Sequence, residues 1–521
     1  MMNSFKNITK IKSHITRDHL ILGLTGCIYV LPVLYDLLRH GWERIFTFFA
    51  ADTFYYLTVA RNFARIGLFS FDGEFPTNGF HPLWQVISGC FYWFTDQLPQ
   101  PEPASLLVIF IFGLICVLMS IIFFGKAYQR LAGHLPVWFL ILPVGLYAIL
   151  SAWFEPRFGT LWSFTNGMET PLVFLSFGIF TLILSRQNQP LSWRYLVFCG
   201  FVLSLIALSR LDHFMIAAAF LLVGGVSALA KRDGQKLRGV LLAGGIVFVV
   251  LAAYLLINKL TLGIWMPVSG GLKTTFPQMS AGAEKIRELE ALIPNIGSPN
   301  FGVNFWRYAQ ILFPVPIAIA VLIEWLIKGV KRKIDEPLQK LLGPTALFCL
   351  LLAFYNFAYV PTLDQGHWYF PISLLFMSLA LVNWLSRIKL SKVAFGAIMI
   401  LLTLGSLGFY DQVYRSDTHN QRYIWVYQHA DQIREHFSDN PETVKFIEFD
   451  DGILTYMTGI QAMSGFGFCL DPEAAEAYKN GGLIELAYQR GYRYLGSLYY
   501  FQSSGLTQNS SPADVSAYLA N

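Results

Sequence analysis

Apolar runs of about 17–23 residues recur along this 521-residue chain, and each has the length a helix needs to cross roughly 30 Å of hydrocarbon. No other feature limits the possible folds so strongly. Hydrophobic residues make up 55% of the chain and charged residues only 14%, whereas a soluble domain carries about 25% charge. Too little polar surface remains for water to cover. The pattern predicts a polytopic α-helical membrane protein of about eleven transmembrane helices, near 19–38, 104–125, 135–152, 168–185, 195–209, 213–230, 238–258, 308–327, 341–360, 369–386 and 393–413.

Three segments need separate treatment. Ser209, Arg210, Asp212 and His213 interrupt the apolar stretch 195–230. Ionisable side chains in mid-bilayer are costly, so two shorter spans joined by a tight turn at an interface are expected there. The piece at 81–97 is short and rich in Trp and Tyr, and is expected to lie along the interface. The N-terminal MMNSFKNITKIKSHITRDHL is basic and precedes an apolar run, but no small-residue cleavage site follows Leu31-Pro32; a signal anchor is expected. The six cysteines form neither a CxxC nor a Cys/His cluster, which makes them small apolar filler.

Charge sets the expected sidedness. Twenty of the 38 Lys and Arg residues fall in alternate short connectors, among them 126–130, 231–238, 328–340 and 387–392, and these should face the cytoplasm. The loops at 39–103, 153–167, 209–213, 259–307 and 361–368 should then face the periplasm or exterior, as should the tail. From Asp417 the composition turns polar, with strand-like TVKFIEF and YRYLGSLYY and helix-like WVYQHADQIREHF. Residues 1–413 are therefore expected to form the transmembrane part and 414–521 a small extracytoplasmic α/β domain. Neither a Walker loop nor a GxGxxG fingerprint occurs in a strand–helix context, which argues against nucleotide hydrolysis and dinucleotide binding.

The residues able to carry chemistry lie in the outward loops. Asp52 heads a helix in which Tyr55, Tyr56, Val59 and Phe63 recur at three- and four-residue spacing. Locally it reads equally well as a helix cap or as a catalyst. Asn78, His81, Glu169 in NGMET, Arg210 and Asp212-His213, Lys273 in PVSGGLKTTFP, and Asp364 with His367 in LDQGHWYFP stand close to span ends on several elements. Such a set suggests a site at the membrane surface. Each also has a structural alternative: Glu169 as a complement to a helix dipole, Arg210 and Asp212 as a mutually neutral pair, His81 and His367 as turn residues, Lys273 as a solvated charge.

Taken together, these motifs resemble the GT-C glycosyltransferases, multi-spanning enzymes that use lipid-phosphate-linked sugars. The resemblance rests on Asp52-Thr-Phe-Tyr-Tyr followed by Ala60-Arg61-Asn62, the His81-Pro82-Leu83 turn, Gly167-Met168-Glu169, the PVSGGLK loop, Tyr369-Phe370-Pro371, and the tail's Asp451-to-Gly459 segment. Bacterial members resembling arabinofuranosyl, aminoarabinose and mannosyl transferases are the most similar. In that family the loop reads Asp-Asp; here Ala51 takes the first position, which puts the catalytic role on Asp52. His367-Trp368 stands where an Arg often precedes Tyr-Phe-Pro, leaving Lys273 and Arg210 as the cations for phosphate.

The resemblance implies an inverting transfer from a polyprenyl-phosphate sugar to a cell-envelope glycan, glycolipid or protein, in the inner (plasma) membrane, with the site facing the periplasm. Asp52 would be the base, with Tyr55, Asn78, His81, Glu169 and His367 binding substrate. Glu169 would position the acceptor or, with Asp52, hold a divalent cation (Mg or Mn); two carboxylates are too few to demand one. A transporter or flippase of a lipid-linked sugar is the alternative, but it expects inverted repeats and midplane helix breaks, and the chain has no internal repeat. A non-catalytic assembly protein is a third reading. Nothing points to a nucleic acid.

Overall fold

Within hydrocarbon a backbone must satisfy its own N–H and C=O groups, and the apolar runs do so as long helices. The computed structural model describes residues 2–141, 164–186, 193–292, 313–330, 338–361, 369–387, 393, 397, 421–437, 444–449 and 452–496. In chain order come α1 (Met2–His40), α2 (Ala51–Ile66), α3 (Pro82–Thr95) and α4 (Pro101–Ala132). Next are α5 (Thr170–Leu184), α6 (Trp193–Ser209), α7 (Phe214–Ala230), α8 (Gly234–Leu262), α9 (Val268–Lys273), α10 (Ala281–Leu292), α11 (Pro314–Val330), α12 (Gln339–Tyr359) and α13 (Pro371–Leu385). Among the described residues, five helices are long and apolar enough to cross a membrane: Arg17–His40, Pro101–Ala132, Leu211–Ala230, Gly234–Leu262 and Gln339–Tyr359. Three apolar helices are shorter: α5, α6 and α13. The span expected at 393–413 lies almost wholly outside the described residues, as does 135–152 beyond residue 141.

The charged interruption in the 195–230 run breaks the helix as its residues demand. α6 ends at Ser209, Arg210 is extended, a 3-10 turn covers Leu211–His213, and α7 begins at Phe214. Helices α4 with α5, α6 with α8, and α7 with α12 pack side by side. Their facing residues, including Phe124, Phe174, Phe177, Ile206, Phe220 and Phe348, form one continuous buried cluster.

The tail carries α14 (Gln421–His436), β1 (Lys445–Glu448), α15 (Ile453–Thr458), β2 (Gln461–Ser464), α16 (Pro472–Lys479), α17 (Leu483–Gln489) and β3 (Tyr494–Gly496). Its three strands are parallel in the order β2-β1-β3, with Phe446 opposite both Ala462 and Tyr494. This small sheet shares its core with the membrane part. Phe54 and Tyr55 of α2, Trp84 and Tyr92 of α3, and Tyr423, Phe446 and Tyr456 of the tail belong to a single cluster. A second cluster joins Val268 of α9 to Ile447, Met463, Leu470, Ala474 and Leu483.

The six-residue α15 is too short to be stable alone, so charges hold both of its ends. Buried Glu448 accepts from the Leu454 and Thr455 N–H groups and from the Thr455 hydroxyl at the N-terminus. At the other end Arg61 of α2 donates to the Thr455 and Tyr456 carbonyls at 3.0 and 2.8 Å, and Arg434 to those of Met457 and Thr458. Anions near a helix N-terminus and cations near its C-terminus both oppose the backbone dipole. Gly452 and Gly459, at φ +72° and +75°, flank the helix. Gly79 has a different role: a Cβ there would sit 1.9 Å from the Phe468 carbonyl oxygen, so only glycine lets the first loop touch the tail backbone.

Replacing Arg61 with Met should remove two charge-assisted bonds, and the Thr455 carbonyl would keep only the Gly459 N–H. The expected cost is about 1.5–3 kcal/mol, read as a lower thermal midpoint in detergent and faster proteolytic release of the tail.

Candidate functional site

Asp52 occupies the first turn of α2 without capping it. The residue ahead of the helix is Ala50, which makes no side-chain cap. The helix start is instead tied down by backbone: the Ala50 N–H donates to the Asn166 carbonyl at 2.9 Å, and the Thr53 hydroxyl donates to the same oxygen at 2.5 Å. Gly167, at φ +77°, allows this approach, since a Cβ there would lie 2.4 Å from Thr53 Cγ2. The half-buried Asp52 carboxylate makes no hydrogen bond or ion pair among the described residues. Its charge acts on Lys273, Cys469 and Tyr56.

A chain of polar contacts runs beside it. Glu169, fully buried ahead of α5, accepts from Arg210 Nη1 at Oε1, and His81 Nε2 lies 3.5 Å from the same oxygen. Glu169 Oε2 has no partner among the described residues. Arg210, 2% exposed, also meets Asp212 through Nε at 3.1 Å, and Asp212 meets His213 Nδ1 at 2.6 Å. The guanidinium lies over the Tyr369 ring, 4.0 Å from its centroid. Burial alone would lower the Arg210 pKa, but Asp212 and Glu169 together raise it, so it stays charged.

His81 completes the turn before α3. Its Nδ1 accepts from the Leu211 N–H at 3.4 Å, which leaves Nε2 to carry the proton toward Glu169. Burial, and then the Arg210 charge, hold this imidazole well below the ordinary histidine value, so the ring is neutral. Asn78, 4% exposed, accepts from the Val268 N–H at 3.0 Å and thereby sets the start of α9. At the other end of α9, Lys273 Nζ donates to the Tyr369 hydroxyl at 3.1 Å and lies 4.0 Å from the centre of the Phe468 ring. Burial lowers the Lys273 pKa, but Tyr369 and Asp52 more than offset this and raise it above the usual lysine range.

The structure thus joins His81, Glu169, Arg210 and Asp212 in one set of contacts, links Arg210 to Lys273 through Tyr369, and leaves Asp52 within electrostatic reach of Lys273. It gives Asn78 to the support of α9. Tyr55, 2% exposed, lies in the packed interior with its ring against Phe71 and Phe468. His367 and Asp364 lie outside the described residues. Tyr369, Phe468 and Cys469 were not picked out as site residues. The Tyr-Phe-Pro element could have signalled Tyr369, whereas nothing local marks Phe468. Among the described residues no three His, Cys, Asp or Glu side chains come together as a metal site.

Compared with known structures, the chain is similar to the crystal structure of ArnT from Cupriavidus metallidurans bound to undecaprenyl phosphate. The TM-score is 0.55 over 89% of this chain and 89% of that one, at 12% sequence identity. The chain shares the fold of that protein. No protein-family model matches it, and no curated protein does.

Two outcomes test this geometry. Arg210→Met removes the cation shared by Glu169 and Asp212 and leaves them only imidazole partners that can be neutral, which should cost about 3–5 kcal/mol and appear as loss of monodisperse protein in detergent; Arg210→Lys should fall between. The neutral His81 ring makes stability pH-dependent. Below pH ~6.5 the unfolded chain takes up a proton at this residue that the folded chain refuses, so stability falls by up to about 1.4 kcal/mol per pH unit. Thermal midpoints between pH 7.5 and 5.5 should drop more steeply in the wild type than in His81→Asn.

Proposed function

We propose that this chain is a membrane glycosyltransferase, moving a sugar from a polyprenyl-phosphate donor to a cell-envelope glycan, glycolipid or protein. The observation that carries this is a carboxylate left free at the head of α2, with a buried lysine ammonium within its electrostatic reach, on a fold shared with a protein crystallised with undecaprenyl phosphate. A donor of this kind keeps its tail in the bilayer and its phosphate at the surface, where it needs a fixed cation and a nearby base.

In the proposed reaction the acceptor hydroxyl gives its proton to Asp52 as its oxygen attacks the anomeric carbon. The bond from that carbon to the phosphate oxygen breaks, and Lys273 stabilises the charge that builds on the departing lipid phosphate. Displacement in one step with one base inverts the anomeric centre. Arg210 is spent on Glu169 and Asp212, so we assign it to holding those acids rather than to the phosphate. Glu169 Oε2, still without a partner among the described residues, is then available to an acceptor hydroxyl. Arg210 already neutralises the Glu169 carboxylate that would share a divalent cation with Asp52.

The polar groups stand at helix ends, with Glu169 before α5 and Arg210 between α6 and α7. This favours a surface enzyme over a midplane transporter. The clustering of basic residues in alternate connectors supports an inner-membrane protein with the site and tail on the periplasmic side.

Incubation of the purified protein with labelled polyprenyl-phosphate sugars, scored for released lipid phosphate, should show turnover. Asp52→Asn should retain donor binding and lose transfer by about 10²-fold or more, while Lys273→Ala should weaken donor binding. Undiminished turnover by Asp52→Asn would rule out the proposed base.

A further inference from the structure

The tail supplies one face of the site through the segment 465–470. Gly79 presses against the Phe468 carbonyl, and the Thr77 hydroxyl donates to the Leu470 carbonyl at 2.8 Å, so the first loop fixes this segment at two points. The same segment holds α9. Val268 is buried among Leu470, Ala474 and Leu483, with Leu272 packed against them, and a Cβ on Gly467 would lie 3.1 Å from Leu272. From this base the Phe468 ring stands 4.0 Å from Lys273 Nζ. The Cys469 thiol beside it is buried, and the charges of Asp52 and Lys273 both act on it. Asp52 and Lys273 therefore lie within electrostatic reach of each other and of this tail segment.

An ammonium held only by the Tyr369 hydroxyl would swing on its four-carbon stem. A ring face 4.0 Å away limits that swing, through the attraction between a cation and the π system. No carboxylate lies within ion-pair distance of Lys273 among the described residues. Its remaining N–H donors are therefore not consumed by a protein anion.

We propose that Phe468 is a positioning residue: the tail uses its ring to aim the Lys273 ammonium at the phosphate of the donor lipid. The tail is thus a working part of the transferase site and not an appended domain. This rests on the transferase reading for the identity of the anion, though not for the placement of the lysine.

The test compares full-length wild type with Phe468→Leu, which stays apolar and removes the π face, and with Phe468→Tyr, which keeps the ring; Phe468→Met replaces the leucine variant if that one fails to fold. First, reductive methylation of Lys273 is followed by mass spectrometry without any lipid. Phe468→Leu should be modified roughly 3-fold faster or more, with Phe468→Tyr close to wild type; equal rates in all three overturn the proposal. Second, donor kinetics should show KM raised roughly 3- to 30-fold in Phe468→Leu with kcat largely kept, and recovery in Phe468→Tyr. A fall in kcat at unchanged KM overturns it too. Should wild type turn over no polyprenyl-phosphate sugar, the transferase reading fails, and the methylation rates alone decide where Phe468 acts.

Discussion

A guanidinium buried to 2% exposure is tolerable only when anions and a ring surround it, and at Arg210 that requirement organises the centre of the molecule. Glu169 ahead of α5, Asp212 in the turn before α7, and Tyr369 ahead of α13 must all converge on one side chain. His81, before α3, is recruited in turn through Glu169 and the Leu211 N–H. Four elements distant in sequence are thereby held in register at the ends of helices. Tyr369 then carries the arrangement across to Lys273, whose ammonium it accepts at its hydroxyl. Asp52 stands next to this network without being consumed by it.

The tail is bound to the membrane part by interactions of several kinds. Arg61 reaches from α2 into the carbonyl end of α15, Thr77 and Gly79 hold the 465–470 segment, and Lys445 pairs with Glu74 at 2.7 Å. Apolar burial supplies the rest, since Phe54 and Tyr456 belong to the same cluster. A surface held this way cannot slide without exposing aromatic side chains and stranding a buried arginine. The consequence reaches the site, because α9, and so Lys273, is packed on tail residues.

Much of this was legible in the residues themselves. Length and continuity of the apolar runs specify membrane helices, and the charges at 209–213 specify where one run must break. Asp52, Glu169, Arg210 and Lys273 were conspicuous because ionisable side chains are rare in a chain with 14% charge. Less legible was what each does. Arg210 was open between a phosphate ligand and half of a neutral pair, and its two carboxylate partners, one of them 41 positions earlier, are visible only in the folded chain. Asp52 was open between cap and catalyst, and the structure removes the first, because Ala50 precedes the helix and the Asn166 carbonyl bonds its start. Phe468 gave no local sign, because an aromatic in a short loop says nothing of a lysine 195 positions earlier.

The sequence by itself determined the solvent this protein lives in and the places where its helices begin and break, because hydrocarbon admits few backbone arrangements and polar side chains resist it. Which charges neutralise one another, and which remain available, was decided only by tertiary structure. Electrostatic pairing depends on distances of a few ångströms between elements, and those distances are set by packing that no local pattern encodes.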